Sequence, residues 1–217
     1  MTHLTTKYIK PSFFENKVMP LLSHIYDDSM YQATYDFYHI KDILNQFSNS
    51  QLQSKEWLVN ELKPFLHSDQ RILIIGGWYG LMSHMLAETG IPEKIDDFEL
   101  DKLCVYLHTK LKCHNNVSIH HLDGLTIFDN KKFNKKNRVF ICTACEHIDS
   151  EDLESSLSMK HPGMIVALQS NNMHDIDSHI NCHDSIDHFI STLPKMEILY
   201  QGTLKIDKYE RYMVIAK

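Results

Sequence analysis

The chain is poor in the residues that break structure. It has seven glycines and six prolines in 217 residues, so it is neither collagen-like nor a low-complexity polymer. No run approaches 18 consecutive apolar residues, and no apolar segment follows the opening Met1-Thr-His-Leu-Thr-Thr-Lys7. Neither a membrane span nor a secretory signal is therefore expected, and the expected location is the cytoplasm. A basic surplus is missing too: the formal net charge is -6. Proteins that grip nucleic acid draw much of their affinity from neutralising phosphates, so a nucleic-acid partner is not expected. The one locally basic stretch, Lys131 to Arg138, leads into an apolar run and reads as a solvated loop. Five cysteines (Cys104, Cys113, Cys142, Cys145 and Cys182) are an odd number, two of them inside apolar patterns, and read as reduced thiols.

What is present is alternation. Residues 1–67 read as helices and turns. Ser29 is a candidate cap for a helix reaching Phe47, and Ser54 for a second with Trp57, Leu58, Leu62 and Phe65 inward. From residue 68 the pattern changes. Arg71-Ile-Leu-Ile-Ile75 is a short apolar run of the kind buried on both faces of a parallel sheet. Further strand candidates follow at Lys94–Leu100, Val117–His121, Arg138–Cys142 and Met164–Leu168, with helical stretches between them. The runs Met196–Leu204 and Tyr209–Ala216 are too close together for a crossover and must form an antiparallel pair. The expected fold is α/β, a Rossmann-like, mostly parallel sheet with a C-terminal antiparallel hairpin. An N-terminal helical segment (1–67) precedes the Rossmann-like domain (68–217) and is a possible lid.

Between the first strand and its helix lies Gly76-Gly-Trp-Tyr-Gly80. A glycine turn there lets backbone approach a ligand, and the helix start offers free N–H groups. The spacing does not fit the dinucleotide fingerprint, because Trp78 stands at the third position. Glu99 ends the second strand, where an acid can accept both ribose hydroxyls, and Asp123-Gly124 follows the third. Five β/α units with a closing hairpin, a glycine turn and an acid after each of the next two strands resemble the class I (Rossmann-like) S-adenosylmethionine (SAM)-dependent methyltransferase family. The likeness covers residues 71–124. It differs in having Ile74 where members often carry an acid and Trp78 in place of the middle glycine. The resemblance implies SAM as co-substrate, held by Gly76, Gly77, Trp78, Tyr79, Gly80, Glu99, Asp123, Gly124 and Thr143, with Asp123 accepting from the adenine amino group.

The resemblance also places Thr143-Ala-Cys-Glu-His147, after the fourth strand, opposite the sulfonium methyl. Glu146 and His147 are the candidate general bases, since both are polar at the ligand-binding edge of a buried strand. Ser170, Asn171 and Asn172, at the end of the fifth strand, are candidate substrate contacts, as is Tyr31 among the N-terminal aromatics that fold over the pocket or pack on the sheet. Tyr209 and Arg211 read as structural. Cys142-x-x-Cys145-x-His147 looks ligand-like, but Cys142 lies within an apolar strand and no second Cys-x-x-Cys exists, so no metal is expected. Most histidines, His108 and His114 among them, read as surface residues.

The expected function is methylation of a small molecule. The alternative is attack on the aminobutyrate chain of SAM, by aminocarboxypropyl transfer or by intramolecular cyclisation, releasing methylthioadenosine. Nucleic-acid methylation is disfavoured because Thr143–His147 is not the Asn-Pro-Pro-Tyr-like sequence of many base amino methylases.

Overall fold

A computed structural model describes residues 6–27, 37–207 and 209–217. The expectation at Tyr31 lies outside the described residues.

Seven strands form one sheet in the order β3-β2-β1-β4-β5-β7-β6. They are β1 (Arg71–Ile75), β2 (Lys94–Glu99), β3 (Val117–His121), β4 (Arg138–Cys142), β5 (Ile165–Asn171), β6 (Ile198–Ile206) and β7 (Tyr209–Ala216). The first five are mutually parallel. β7 runs antiparallel to both β5 and β6, as the short connection demanded. The chain order reverses between β1 and β4, and at such a switch point the C-terminal strand ends splay into a crevice.

Strand alternation divides the core into two. Ile72 and Ile74 point to one face and join Leu58, Leu62, Met85 and Leu107. Leu73 and Ile75 point to the other and join Phe128, Phe140, Leu157 and Phe189. The first face also takes Ile9, Val18, Ile25, Ile43 and Phe47 from the N-terminal segment. The described part of that segment therefore packs on the sheet. The second N-terminal helix, Asn49–Leu62, begins earlier than Ser54, behind Ser48. Ser54 lies one turn inside it, buried, with its hydroxyl bonded to Gln169 Oε1 at 3.1 Å.

β2 carries two fully buried acids that face opposite ways. Asp96 is gripped by the Arg71 guanidinium and by His120 Nε2 at 2.8 Å. Burial alone would raise its pKa, but these hydrogen bonds pull it down to about 2. Asp97 lies in register with Ile74, the strand position where an acid is missing, and its carboxyl sits beneath Gly77.

Candidate functional site

A cleft of about 790 Å³ opens at the switch point. Its floor is the Gly76–Trp78 turn. Gly76 has φ +62° and Trp78 φ +53°, a conformation that a bulky side chain rarely adopts. Trp78 is held there by Glu99, whose Oε2 accepts the Trp78 backbone N–H at 2.9 Å. Glu99 Oε1 accepts the N–H groups of Leu100 and Asp101 at 2.8 and 3.0 Å. The acid that should meet a ribose is thus fixed in direction by three backbone donors, lines the cleft, and keeps one acceptor site on Oε2. Asp101 is the N-cap of the following helix, Lys102–Leu111.

Asp123 both caps a turn and lines the cleft. Its Oδ1 caps a short 3-10 turn through Leu125 N–H at 2.9 Å, while the residue lines the cleft beside Gly124. The exposed Leu100 and Leu122 flank it, giving apolar surface for a planar base.

The opposite end of the cleft is polar and largely buried. Glu146 is 3% exposed. Its Oε1 accepts Asn171 Nδ2 at 2.6 Å and Arg211 Nη1 at 3.2 Å. Arg211 also donates to the Thr143 carbonyl. His147 is exposed, with Nδ1 bonded to the Ser178 carbonyl at 2.9 Å. Nδ1 must carry the proton to make that bond, leaving Nε2 as an acceptor. His179 stacks edge-on against His147, with ring centroids 4.6 Å apart.

Not every predicted residue faces this cleft. Gly76, Gly77, Trp78, Glu99, Asp123, Gly124, Thr143, Glu146, His147 and Asn171 do. Tyr79 is buried against Trp78, and Gly80 caps the next helix over the His108 ring. Ser170 points to the other side of β5, where its hydroxyl meets His183 Nδ1 at 2.9 Å. Asn172 instead ties the closing hairpin, its Oδ1 accepting Glu210 N–H at 2.8 Å. His108 is 3% exposed, a correction to its reading as a surface residue. Cys142 and Cys145 are both buried, the Cys145 thiol donating to the Cys142 carbonyl. Among the described residues, the His/Cys/Asp/Glu groupings close enough to share an ion are Glu146–His147–His179 and His84–Glu88–His114.

Lys55 was missed, and Arg211 was read as purely structural. Lys55 reaches the cleft from the Asn49–Leu62 helix, bonded to Gln51 Oε1. Burial first, and the Arg211 charge second, push its pKa down to about 7. In the unfolded chain the amine keeps its proton up to about 10. The folded state's handicap is therefore full below pH 7 and disappears as pH rises from 7 to about 10. Lys55→Met should raise the melting temperature at pH 6 and lose that advantage near pH 10. An equal gain at both pH values would contradict the assignment.

No family model matches the chain, and no curated protein matches it in sequence. Solved structures do match. The N-methyltransferase NodS from Bradyrhizobium japonicum aligns with 76% of this chain and 94% of its own, at TM-score 0.57 and 12% identity. TrmK from M. capricolum, in complex with S-adenosylhomocysteine, aligns with 73% of this chain at TM-score 0.54 and 11% identity. The chain spans 66% of that protein. MtNAS, in complex with MTA and tNA, aligns with 92% of this chain and 69% of its own, at TM-score 0.59 and 12% identity. Sequence identities this low carry the architecture alone, and by that architecture the chain has the Rossmann-like fold of class I SAM-dependent methyltransferases.

Proposed function

We propose that the chain binds SAM in this cleft and transfers its methyl group to a small molecule. The observation that carries the reading is the convergence of Gly76–Trp78, Glu99 and Asp123, from three successive strand ends, on one cavity. Glu99 offers a fixed carboxylate to vicinal hydroxyls, Asp123 Oδ2 an acceptor for an exocyclic amine, and Gly77 a surface without a side chain. SAM bound in this way supplies an electrophilic methyl carbon on a sulfonium.

The chain's own part is then alignment and proton removal. Alignment falls to the Thr143–His147 turn and Asn171. Of the two candidate bases, Glu146 is buried, with Oε1 engaged by Asn171 and Arg211 and Oε2 shut away without a partner, whereas His147 is exposed at the cleft surface with Nε2 as the acceptor of its neutral ring. His147 therefore takes the acceptor's proton, and Glu146 holds Arg211 and Asn171 in place. The -6 net charge supports a small acceptor over a nucleic acid.

Attack on the aminobutyrate chain of SAM is the second reading. It is favoured by Lys55, an amine poised near neutrality at the end of the cleft that would receive the methionine moiety, and by the 92% of the chain that aligns with a protein solved with MTA. Incubating purified protein with SAM, with and without cell extract, separates the two. S-adenosylhomocysteine formed only with extract supports methyl transfer. Methylthioadenosine formed without it overturns methyl transfer and establishes the second reading.

A further inference from the structure

Unpaired polar atoms cluster at a second place, behind the cofactor turn. Gln46 Nε2 and Oε1, His84 Nδ1 and His114 Nε2 are buried with no hydrogen-bond partner. All three residues line a small cavity of about 10 Å³, which is room for a single ion or water. Buried polar groups left this way cost free energy unless something occupies the space between them.

The chemistry of the wall and of the adjacent Glu88 identifies what that is. His84 projects from the Leu81–Ala87 helix, and Glu88, four residues on, lies on the same face. His114 comes from the turn before β3. Its Nε2 is 3.3 Å from Glu88 Oε1, and its ring centroid is 4.9 Å from that of His84. One ligand atom from each of the three residues falls within 4.8 Å of the other two. The Tyr8 backbone is a hydrogen-bond partner of the His84 ring. His84 Nδ1 itself has no hydrogen-bond partner. Lys10 pairs with the other Glu88 oxygen at 3.2 Å, so Oε1, which faces His114, is the oxygen a cation would share with that ring.

We propose that His84, Glu88 and His114 form a binding site for one divalent transition-metal ion of the zinc class. Two imidazoles and a carboxylate suit zinc better than magnesium or calcium, which prefer all-oxygen shells. The fourth position is left to water. The site would clip together three parts of the molecule: the N-terminal segment through Tyr8 and through Phe13, whose ring lies 4.2 Å from that of His84; the helix that follows the cofactor turn; and the turn before β3. It does not depend on the reaction performed in the cleft.

The test is zinc titration of the full chain after chelator treatment, with bound metal measured by elemental mass spectrometry. One zinc per chain and a raised melting temperature are expected. His114→Ala and the conservative Glu88→Gln should each weaken binding at least about 100-fold, beyond the usual cost of losing an outer-shell partner. Circular dichroism would check that both variants fold. The absence of stoichiometric zinc overturns the proposal. So does zinc binding that survives Glu88→Gln and His114→Ala but is lost in His147→Ala, which would place the ion at Glu146, His147 and His179 instead.

Discussion

Gly77→Ala is expected to abolish SAM binding and to destabilise the fold, whereas Gly76→Ala is expected to be tolerated. A Cβ on Gly77 would lie 1.6 Å from Asp97 Oδ1, a distance no packing can accept. Asp97 cannot retreat, because it is fully buried on a central strand between β1 and β3. Burial also pushes its pKa up to about 8, so at neutral pH the obstacle is mostly an uncharged carboxyl. Overpacking of a filled interior costs about 1–3 kcal/mol, and a clash this deep belongs at or above the upper end. Gly76 has φ +62° with nothing within 4 Å of its absent Cβ, so alanine there meets only backbone strain, roughly 1–2 kcal/mol. Shortening the obstacle should rescue the first variant: Gly77→Ala with Asp97→Ala should recover stability relative to Gly77→Ala alone, a coupling that a double-mutant cycle reads directly. Thermal denaturation and SAM calorimetry would check both points. A Gly77→Ala protein with native stability and affinity would show that the turn does not lie against Asp97.

The second large effect concerns the buried pair at the reacting end. Arg211→Met should cost about 3–5 kcal/mol of stability, because it leaves Glu146 charged in a site where its side chain is 4% exposed. Replacing both partners with apolar residues of similar size should restore most of that stability, since a buried pair often contributes little net energy once both charges are gone. Turnover should not return with it. Arg211 bonds the Thr143 carbonyl and Glu146 bonds Asn171, so the double variant loses the geometry of the whole turn facing the acceptor. Recovery of stability together with full turnover would mean that the pair serves folding alone.

The parts of the site that lie in chain order were legible. A glycine turn after β1, Glu99 after β2 and Asp123 after β3 follow one another as the parallel sheet lays them out, so periodicity and spacing, read with the resemblance to the methyltransferase family, brought them together. The residues that were missed come from elements distant in sequence. Arg211 reaches Glu146 across 65 positions, because β7 inserts beside β5. Even so, a local signal existed for two of the misread residues. Lys55 stands with Leu52, Val59 and Leu62 on the buried stripe of its helix, and His108 with Cys104, Leu107 and Leu111 on the stripe of another. A polar residue on an apolar stripe either has a partner or has work to do, and composition does not reveal it. Ser170, Asn171 and Asn172 fail as a group for a different reason. Successive strand residues point opposite ways, so a polar triplet at a strand end cannot all face one ligand.

Calorimetric titration of the full chain with S-adenosylhomocysteine tests the central claim most directly. The account predicts one bound nucleoside per chain and binding roughly 10- to 100-fold weaker in Glu99→Ala, which removes the proposed ribose acceptor together with the anchor of the Trp78 N–H. Absence of binding by the wild-type protein, or equal affinity in Glu99→Ala, would contradict it.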